Sequence, residues 1–137
     1  MGYDAYTVDV DFTIPADQVP TALAAVEAEF GSYASLADAV EDITCFEDCE
    51  EDPDQWFSLG HHREKYLSGT DQLLEILGRF ATDGSYVRFD GEDGALFGFR
   101  VVDGRLREES GDYVWHLDPE RPLAPQRERW RERPGEW

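Results

Sequence analysis

Tyr6, Val8, Val10, Phe12 and Ile14 alternate with Thr7, Asp9, Asp11 and Thr13. Side chains of an extended backbone point to opposite faces in turn. This period of two therefore predicts a half-buried strand, apolar face inward and carboxylates outward, ended by Pro15. The period then changes. Val19, Leu23, Val26 and Phe30 recur at helical spacing, with Asp17 placed as the cap, Pro20 tolerated in the first turn and Gly31 as the stop. Ser35 followed by Asp38 has the form of a capping box, ahead of Leu36, Val40 and Ile43. Cys45 to Asp54 reads as a polar, acidic connection and Gln55 to Leu59 as a short strand. A third helix is predicted from Thr70, as its cap, to about Ala81, carrying Leu73, Leu74, Ile76, Leu77 and Phe80 inward. Asp83-Gly84 stops it.

Four extended segments follow: Ser85–Asp90, Ala95–Val102, Arg105–Glu109 and Tyr113–Leu117. Gly91-Glu92-Asp93-Gly94, Asp103-Gly104 and Ser110-Gly111-Asp112 separate them as turns. Asp103-Gly104 suits a type I′ hairpin, whose two central residues both need positive φ. A strand, then helices, then a run of strands indicates α+β. The expectation is a single α+β domain over residues 1–118. Its antiparallel sheet has about five strands, the N-terminal strand plus a C-terminal four-stranded meander, with two or three helices on one face. Residues 119–137 form a peripheral Pro/Arg/Glu-rich tail. There Arg127, Arg129, Arg131 and Arg133 alternate with Glu and Trp130, and opposite charge draws the tail toward the acidic half. Tyr86, Arg88, Phe97 or Leu96, Arg107, Tyr113 and Trp115 are candidates for the second sheet face, which is either a docking surface or a second layer of core.

Charge changes this picture most. The chain has 137 residues, a hydrophobic fraction of 41% and a formal net charge of −19. Residues 1–62 contain 15 acids and no Lys or Arg; residues 63–118 contain seven bases and 12 acids; the tail contains five Arg and four Glu. Half the chain thus cannot neutralise its carboxylates locally. Such a field argues against direct binding to nucleic acid or an anionic membrane, because phosphate contacts need cations. No apolar run approaches the ~20 residues of a membrane span. Residues 1–12 lack the basic and apolar regions of a signal peptide, and two Cys fit reduced thiols. A cytoplasmic location is expected.

Chemistry is sparse. Cys45, Cys49, His61 and His62 are the metal candidates, but adjacent His residues diverge and the spacing is not that of a zinc finger. The alternative is a free Cys45 packed under the second helix, a more exposed Cys49 and solvent-facing His; a Cys45–Cys49 disulfide is the third option. An EF-hand register starting at Glu50 fails at its sixth position, Gln55, and its twelfth, His61. Acids around Cys49 would raise its pKa rather than activate it. His116, beside Trp115, reads as an outward strand residue. No nucleophile elbow, zincin motif, P-loop or dinucleotide fingerprint is present. No catalytic residue and no cofactor are expected.

The block Gly84-Ser85-Tyr86-Val87-Arg88-Phe89-Asp90-Gly91-Glu92-Asp93-Gly94, with Phe97-Gly98-Phe99-Arg100-Val101 and Tyr113-Val114-Trp115 after it, resembles small proteins of phages, plasmids and bacterial genomes. These share a Gly-Ser-Tyr-x-x-Phe-x-Gly-Glu-Asp-Gly pattern ahead of a β-meander. The resemblance covers roughly residues 70–117 and carries no catalytic residue. It implies an accessory, mobile-element context and no mechanism.

The expected function is an acidic protein-binding module that occupies a basic, nucleic-acid-binding surface of another protein, as a DNA-mimic inhibitor of the anti-defence type. Its acidic surface comprises Asp9, Asp11, Glu27, Glu29, Asp38, Glu41, Asp42, Glu47, Asp48, Glu50, Glu51, Asp52 and Asp54. Trp56, Tyr86 and Trp115 serve as aromatic anchors. Charge complementarity would mainly raise on-rate and selectivity. A second reading is an immunity protein against a basic nuclease toxin. A third is an enzyme or metal-binding protein.

Overall fold

The computed structural model describes residues 2–52 and 56–112. In chain order the elements are β1 (Ala5–Asp11), β2 (Thr13–Pro15), a 3-10 turn (Ala16–Gln18), α1 (Val19–Phe30), α2 (Leu36–Ile43), β3 (Phe46–Glu47), β4 (Glu50–Asp52), β5 (Trp56–Ser58), β6 (His61–His62), α3 (Gly69–Gly78), β7 (Tyr86–Gly91), β8 (Leu96–Val102) and β9 (Arg105–Gly111). The fold is α+β, with a four-stranded sheet in the order β1-β7-β8-β9, a three-stranded sheet β2-β5-β4 and the pair β3-β6. All these pairings are antiparallel. No described helix is long and apolar enough to cross a membrane.

The first strand corrects the period-two reading. β1 pairs with β7 in a register that shifts between Thr7 and Asp9, so Val8 is a bulge residue. One extra residue inverts the facing of everything before it. Val10, Phe12 and Ile14 point inward as expected, but on the N-terminal side Ala5 and Thr7 take the inner positions. Tyr6 and Val8, expected inside, are 48% and 59% exposed. Beyond Phe12 the chain leaves this sheet and forms β2 in the next, where Ile14 lies opposite Phe57 and both are buried.

Two of the expected caps are replaced. Asp17 lies inside the 3-10 turn, so α1 begins at Val19 behind Gln18, whose side chain makes no capping bond. Pro20 in the first turn has no amide to satisfy. Thr70 is the second residue of α3; its side chain is fully buried and its hydroxyl has no partner among the described residues. Ser35 does cap α2, accepting the Asp38 N–H at 3.1 Å. Gly31, at φ 101°, closes α1. The predicted acidic connection contains two strands, β3 and β4, and buries Phe46. Strands of two and three residues are too short to display a period.

The meander follows its turn signals. Asp103 and Gly104 take φ 53° and 74°, as a type I′ turn requires. β9 runs on to Gly111, so the expected Ser110-Gly111 break is strand instead. The predicted strand Tyr113–Leu117, including Trp115, and the tail from 119 lie outside the described residues.

Opposed residues share a face, so the registers assign both sides of the sheet. The inner face carries the rows Thr7–Phe89–Phe97–Ser110 and Val10–Val87–Phe99–Glu108. Phe89 and Phe97 stack at 5.0 Å, and Phe46, His62 and Tyr66 meet Phe89 edge-on at 6.1, 5.5 and 5.4 Å. Helices cover the remainder: Leu73, Leu74 and Leu77 of α3, Leu36 and Val40 of α2 and Val26 of α1 are fully buried. Each such side chain contributes about 1.5–3 kcal/mol by leaving water. Tyr86, Arg88, Leu96 and Arg107 lie on the outer face and are half-buried or exposed, so among the described residues that face is no second core layer; Phe97 points the other way.

The Gly91-Glu92-Asp93-Gly94 turn holds the N-terminus. A Cβ on Gly91 would collide with the Tyr3 hydroxyl, which donates to Asp93 Oδ1 at 2.5 Å. Glu92 accepts the Asp4 N–H at 2.9 Å, and its own N–H donates to the Asp4 carbonyl. Tyr3 in turn accepts the Tyr66 N–H at 2.7 Å. The hydrogen bond to Asp93, then burial and neighbouring carboxylates, push the Tyr3 phenol up to about 12, while the same bond holds Asp93 below the usual carboxylate range.

Two predictions follow from these contacts. Deleting Val8 restores an unbroken alternation of Ala5, Thr7 and Val10 inward. The deletion variant therefore folds with stability within about 1 kcal/mol of the parent, as an exposed position should; urea unfolding checks this, and a chain that no longer folds would refute the bulge. The Tyr3 contribution is intact below pH 10 and is lost as pH climbs toward about 12, because the folded pKa is the raised one. Over that range the parent loses melting temperature faster than Tyr3→Phe. Equal losses would show that the bond is absent.

Candidate protein-interaction surface

The acids expected to form one surface divide between two faces of the molecule. Asp9 and Asp11 point from β1 onto the outer face of the four-stranded sheet, where they lie opposite Arg88 and Tyr86. The others belong to α1, α2, β3, β4 and their connections. Those elements pack together and contain no Lys or Arg, whereas the described bases all lie at or beyond Arg63. Within this second group Glu29, Asp38, Glu41, Asp42, Glu47, Asp48 and Glu50 are exposed, and Glu27, Glu51 and Asp52 are half-buried. Asp54 lies outside the described residues.

Several of these carboxylates have structural work. Glu51 faces the same side of its sheet as Ile14 and Phe57, and accepts the Leu36 N–H at 3.2 Å at the start of α2. A negative charge there also meets the positive end of the helix dipole. Glu27 accepts the Tyr33 N–H at 2.9 Å, Asp42 the Tyr33 hydroxyl at 2.8 Å, and Glu41 the Cys49 N–H at 2.9 Å. The Tyr33 phenol is raised, first by that bond to Asp42. With no base nearby in sequence, amide and phenol donors satisfy the carboxylates instead. Among the described residues the side chains of Asp38, Glu47, Asp48 and Glu50 accept no such bond.

The aromatic anchors differ in availability. Tyr86 is committed internally: its hydroxyl donates to Asp9 at 2.9 Å, and Arg88 and Arg100 each sit 4.8 Å from its ring centroid. Trp56 is half-buried between Pro15 and Asp52, beside an apolar groove lined by Thr13, Ile14, Ser58 and Thr82. It is the anchor with room beside it. Trp115 is outside the described residues.

The metal candidates are dispersed. Among the described residues no three His, Cys, Asp or Glu side chains converge. His62, expected at the surface, is fully buried; its Nδ1 lies 2.7 Å from the Ala5 carbonyl, and its Nε2 has no hydrogen-bond partner among the described residues. Short strand β6 turns it inward onto Phe46, with the rings 5.1 Å apart, while its neighbour His61 faces out. Both cysteines are free thiols. Cys49, expected to be the more exposed, is half-buried like Cys45: Gly60 N–H donates to its Sγ at 3.3 Å, and burial pushes its thiol up to about 12. Burial, followed by Glu64, Glu47 and Asp4, raises Cys45 as well. The packing of His62 had no sequence signal, since two adjacent histidines do not reveal which one a two-residue strand turns inward.

No protein-family model, no curated protein and no solved structure matches the chain.

The thiols give a direct check on this geometry. Thiolate is the reactive form, so a neutral aromatic disulfide reagent at pH 8 modifies Cys45 well before Cys49 in the native protein. Both react together in denaturant. Faster native labelling of Cys49, read by peptide mass, would place it at the surface and break the β4–β5 packing described above.

Proposed function

We propose that the chain is an acidic protein-binding module that occupies a basic surface of another protein, of the kind that binds nucleic acid. The observation that carries this reading is the segregation of charge. Ten acids on α1, α2, β3, β4 and their connections stand without a single Lys or Arg in those elements, while Arg88, Arg100, Arg105 and Arg107 lie on the four-stranded sheet and Arg79, at the end of α3, lines a cleft with Glu29. Carboxylates held on packed helices and short strands present a fixed negative field, and a cationic groove reads such a field much as it reads phosphates. Glu41, Asp42 and Glu51 are held by internal hydrogen bonds and keep the face rigid, which lowers the ordering cost of binding. Asp38, Glu47, Asp48 and Glu50 are exposed carboxylates left for a partner. Trp56, opposite Asp52 in the β4–β5 pair, supplies apolar contact. Inhibition follows from occupancy: a partner so bound cannot hold nucleic acid on the same surface.

The test is capture from the native host at low salt. Captured proteins should be basic, should elute as salt rises, and should be displaced by added duplex DNA. Asp38→Lys, Glu47→Lys and Glu50→Lys together spare the internally bonded acids; the variant should stay folded, losing about 0.3–1 kcal/mol for the reversed charge in the first turn of α2, while losing capture by at least about tenfold, since several rim charges act on association. Capture that resists salt, DNA and the triple reversal would sink the reading.

A further inference from the structure

The outer face of the four-stranded sheet is distinct from the side that carries the helices, and among the described residues it pairs acids at one edge with an unpaired arginine at the other. Among the described residues, the large hydrophobics that stay exposed are Tyr6, Val8 and Leu67, and the first two lie at the β1 edge of this face. The registers run straight across it. One row reads Asp11, Tyr86, Arg100, Arg107 from β1 to β9; another reads Tyr6, Asp90, Leu96, Gly111. The row between them reads Asp9, Arg88, Gly98, Glu109, so the β1 edge carries Asp9 and Asp11 and the β9 edge carries both Arg107 and Glu109. Arg107 makes no hydrogen bond or ion pair among the described residues, and it lies directly opposite Arg100, a like-charge pairing that costs stability in the isolated chain. Gly98 and Gly111 leave a hollow of about 310 Å³ between Val8, Leu96 and the Arg88–Glu109 pair.

We infer that this face is an interface between two copies of the chain, related by a twofold axis parallel to the strands. Such an axis keeps each residue's height along the strand and exchanges the β1 edge with the β9 edge. Asp11 then meets Arg107 of the partner subunit, Tyr86 meets Arg100 of the partner subunit, and exposed Tyr6 covers the site left open by Gly111 of the partner subunit. Each contact occurs twice, as a closed two-fold interface demands. Aligned packing of two sheet faces at about 30° is a standard arrangement and tolerates this overlap. In the middle row Asp9 comes over Glu109 of the partner subunit, a like-charge contact that opposes association and that Arg88 and Arg100, 3.6 and 3.1 Å from Glu109, offset in part. Four strands about 4.8 Å apart and seven residues of about 3.3 Å give a face of roughly 19 by 23 Å. That is small beside the ~800 Å² per partner of a stable complex, so the association is weak and concentration-dependent.

Sedimentation equilibrium at about 0.15 M salt tests it, since a Debye length of about 8 Å screens the mutual repulsion of two acidic chains better than a direct contact. The mass should rise from 15.6 kDa toward twice that value with concentration. Asp11→Arg places like charges together and should weaken association by at least about tenfold; Arg107→Asp should do the same; the double variant exchanges the partners and should restore it. On the unaltered chain, amide chemical shifts that change with concentration should cluster at Tyr6, Leu96, Gly98 and Gly111, a readout that does not depend on any variant folding. A monomer at every concentration, association untouched by either single charge change, or shift changes confined to the helices would overturn the inference.

Discussion

The pairing of β1 with β7 holds the molecule together. It joins residues 5–11 to residues 86–91, and it fixes three further attachments. On its inner face Ala5 receives the His62 ring, so segment 61–66 runs along its free side. At one end the Gly-Glu-Asp-Gly turn grips Tyr3 and Asp4. At the other end the chain passes Phe12 and enters the second sheet at Ile14, carrying α1 and α2 with it. A bulge at Val8 is what lets one strand serve both purposes. Without it, Ala5 and Phe12 could not both face the core, because seven residues separate them and an odd separation reverses the side.

Charge imbalance shapes the remainder. Among the described residues the two ion pairs both use Glu109. Carboxylates elsewhere find neutral donors: Tyr3, Tyr33, Tyr66 and Tyr86 each give a hydroxyl to an aspartate, and the backbone amides of Asp4, Leu36, Cys49 and Asp103 give theirs to Glu or Asp side chains. The result is an acidic protein whose carboxylates are partly structural. Burial and the bond to Asp71 raise Tyr66, so its phenol stays neutral across the range in which most proteins work. A carboxylate that accepts a neutral donor keeps its full negative charge, which an ion pair would cancel. Rigidity and a strong outward field therefore coexist, and the proposed binding role needs both.

Local order was legible wherever one residue's chemistry decides its backbone. Ser35 and Asp38 marked a true helix start, Gly31 a true stop, and Asp103-Gly104 a hairpin whose two positive φ values are observed. The run of apolar residues from Leu73 to Leu77 and the alternation in β7 and β8 identified their elements, because one side of each is pressed against the core. The net charge and the absence of bases from residues 1–62 are properties of the chain itself and needed no fold.

Tertiary structure decided what depends on partners distant in sequence. The inversion at Val8 exists only because β7 offers a register that skips it, and no feature of residues 5–14 announces it. His62 rather than His61 enters the core because β3 aligns it with Phe46. Thr70 lies inside α3 rather than capping it because the packing of the helix buries that side chain. Asp9 and Asp11 are separated from the other acids because a strand's outward face and a helix's outward face lie on opposite sides of a layered fold. Composition sets how much charge a chain carries; only the packing of sheet against helix determines which surface receives it.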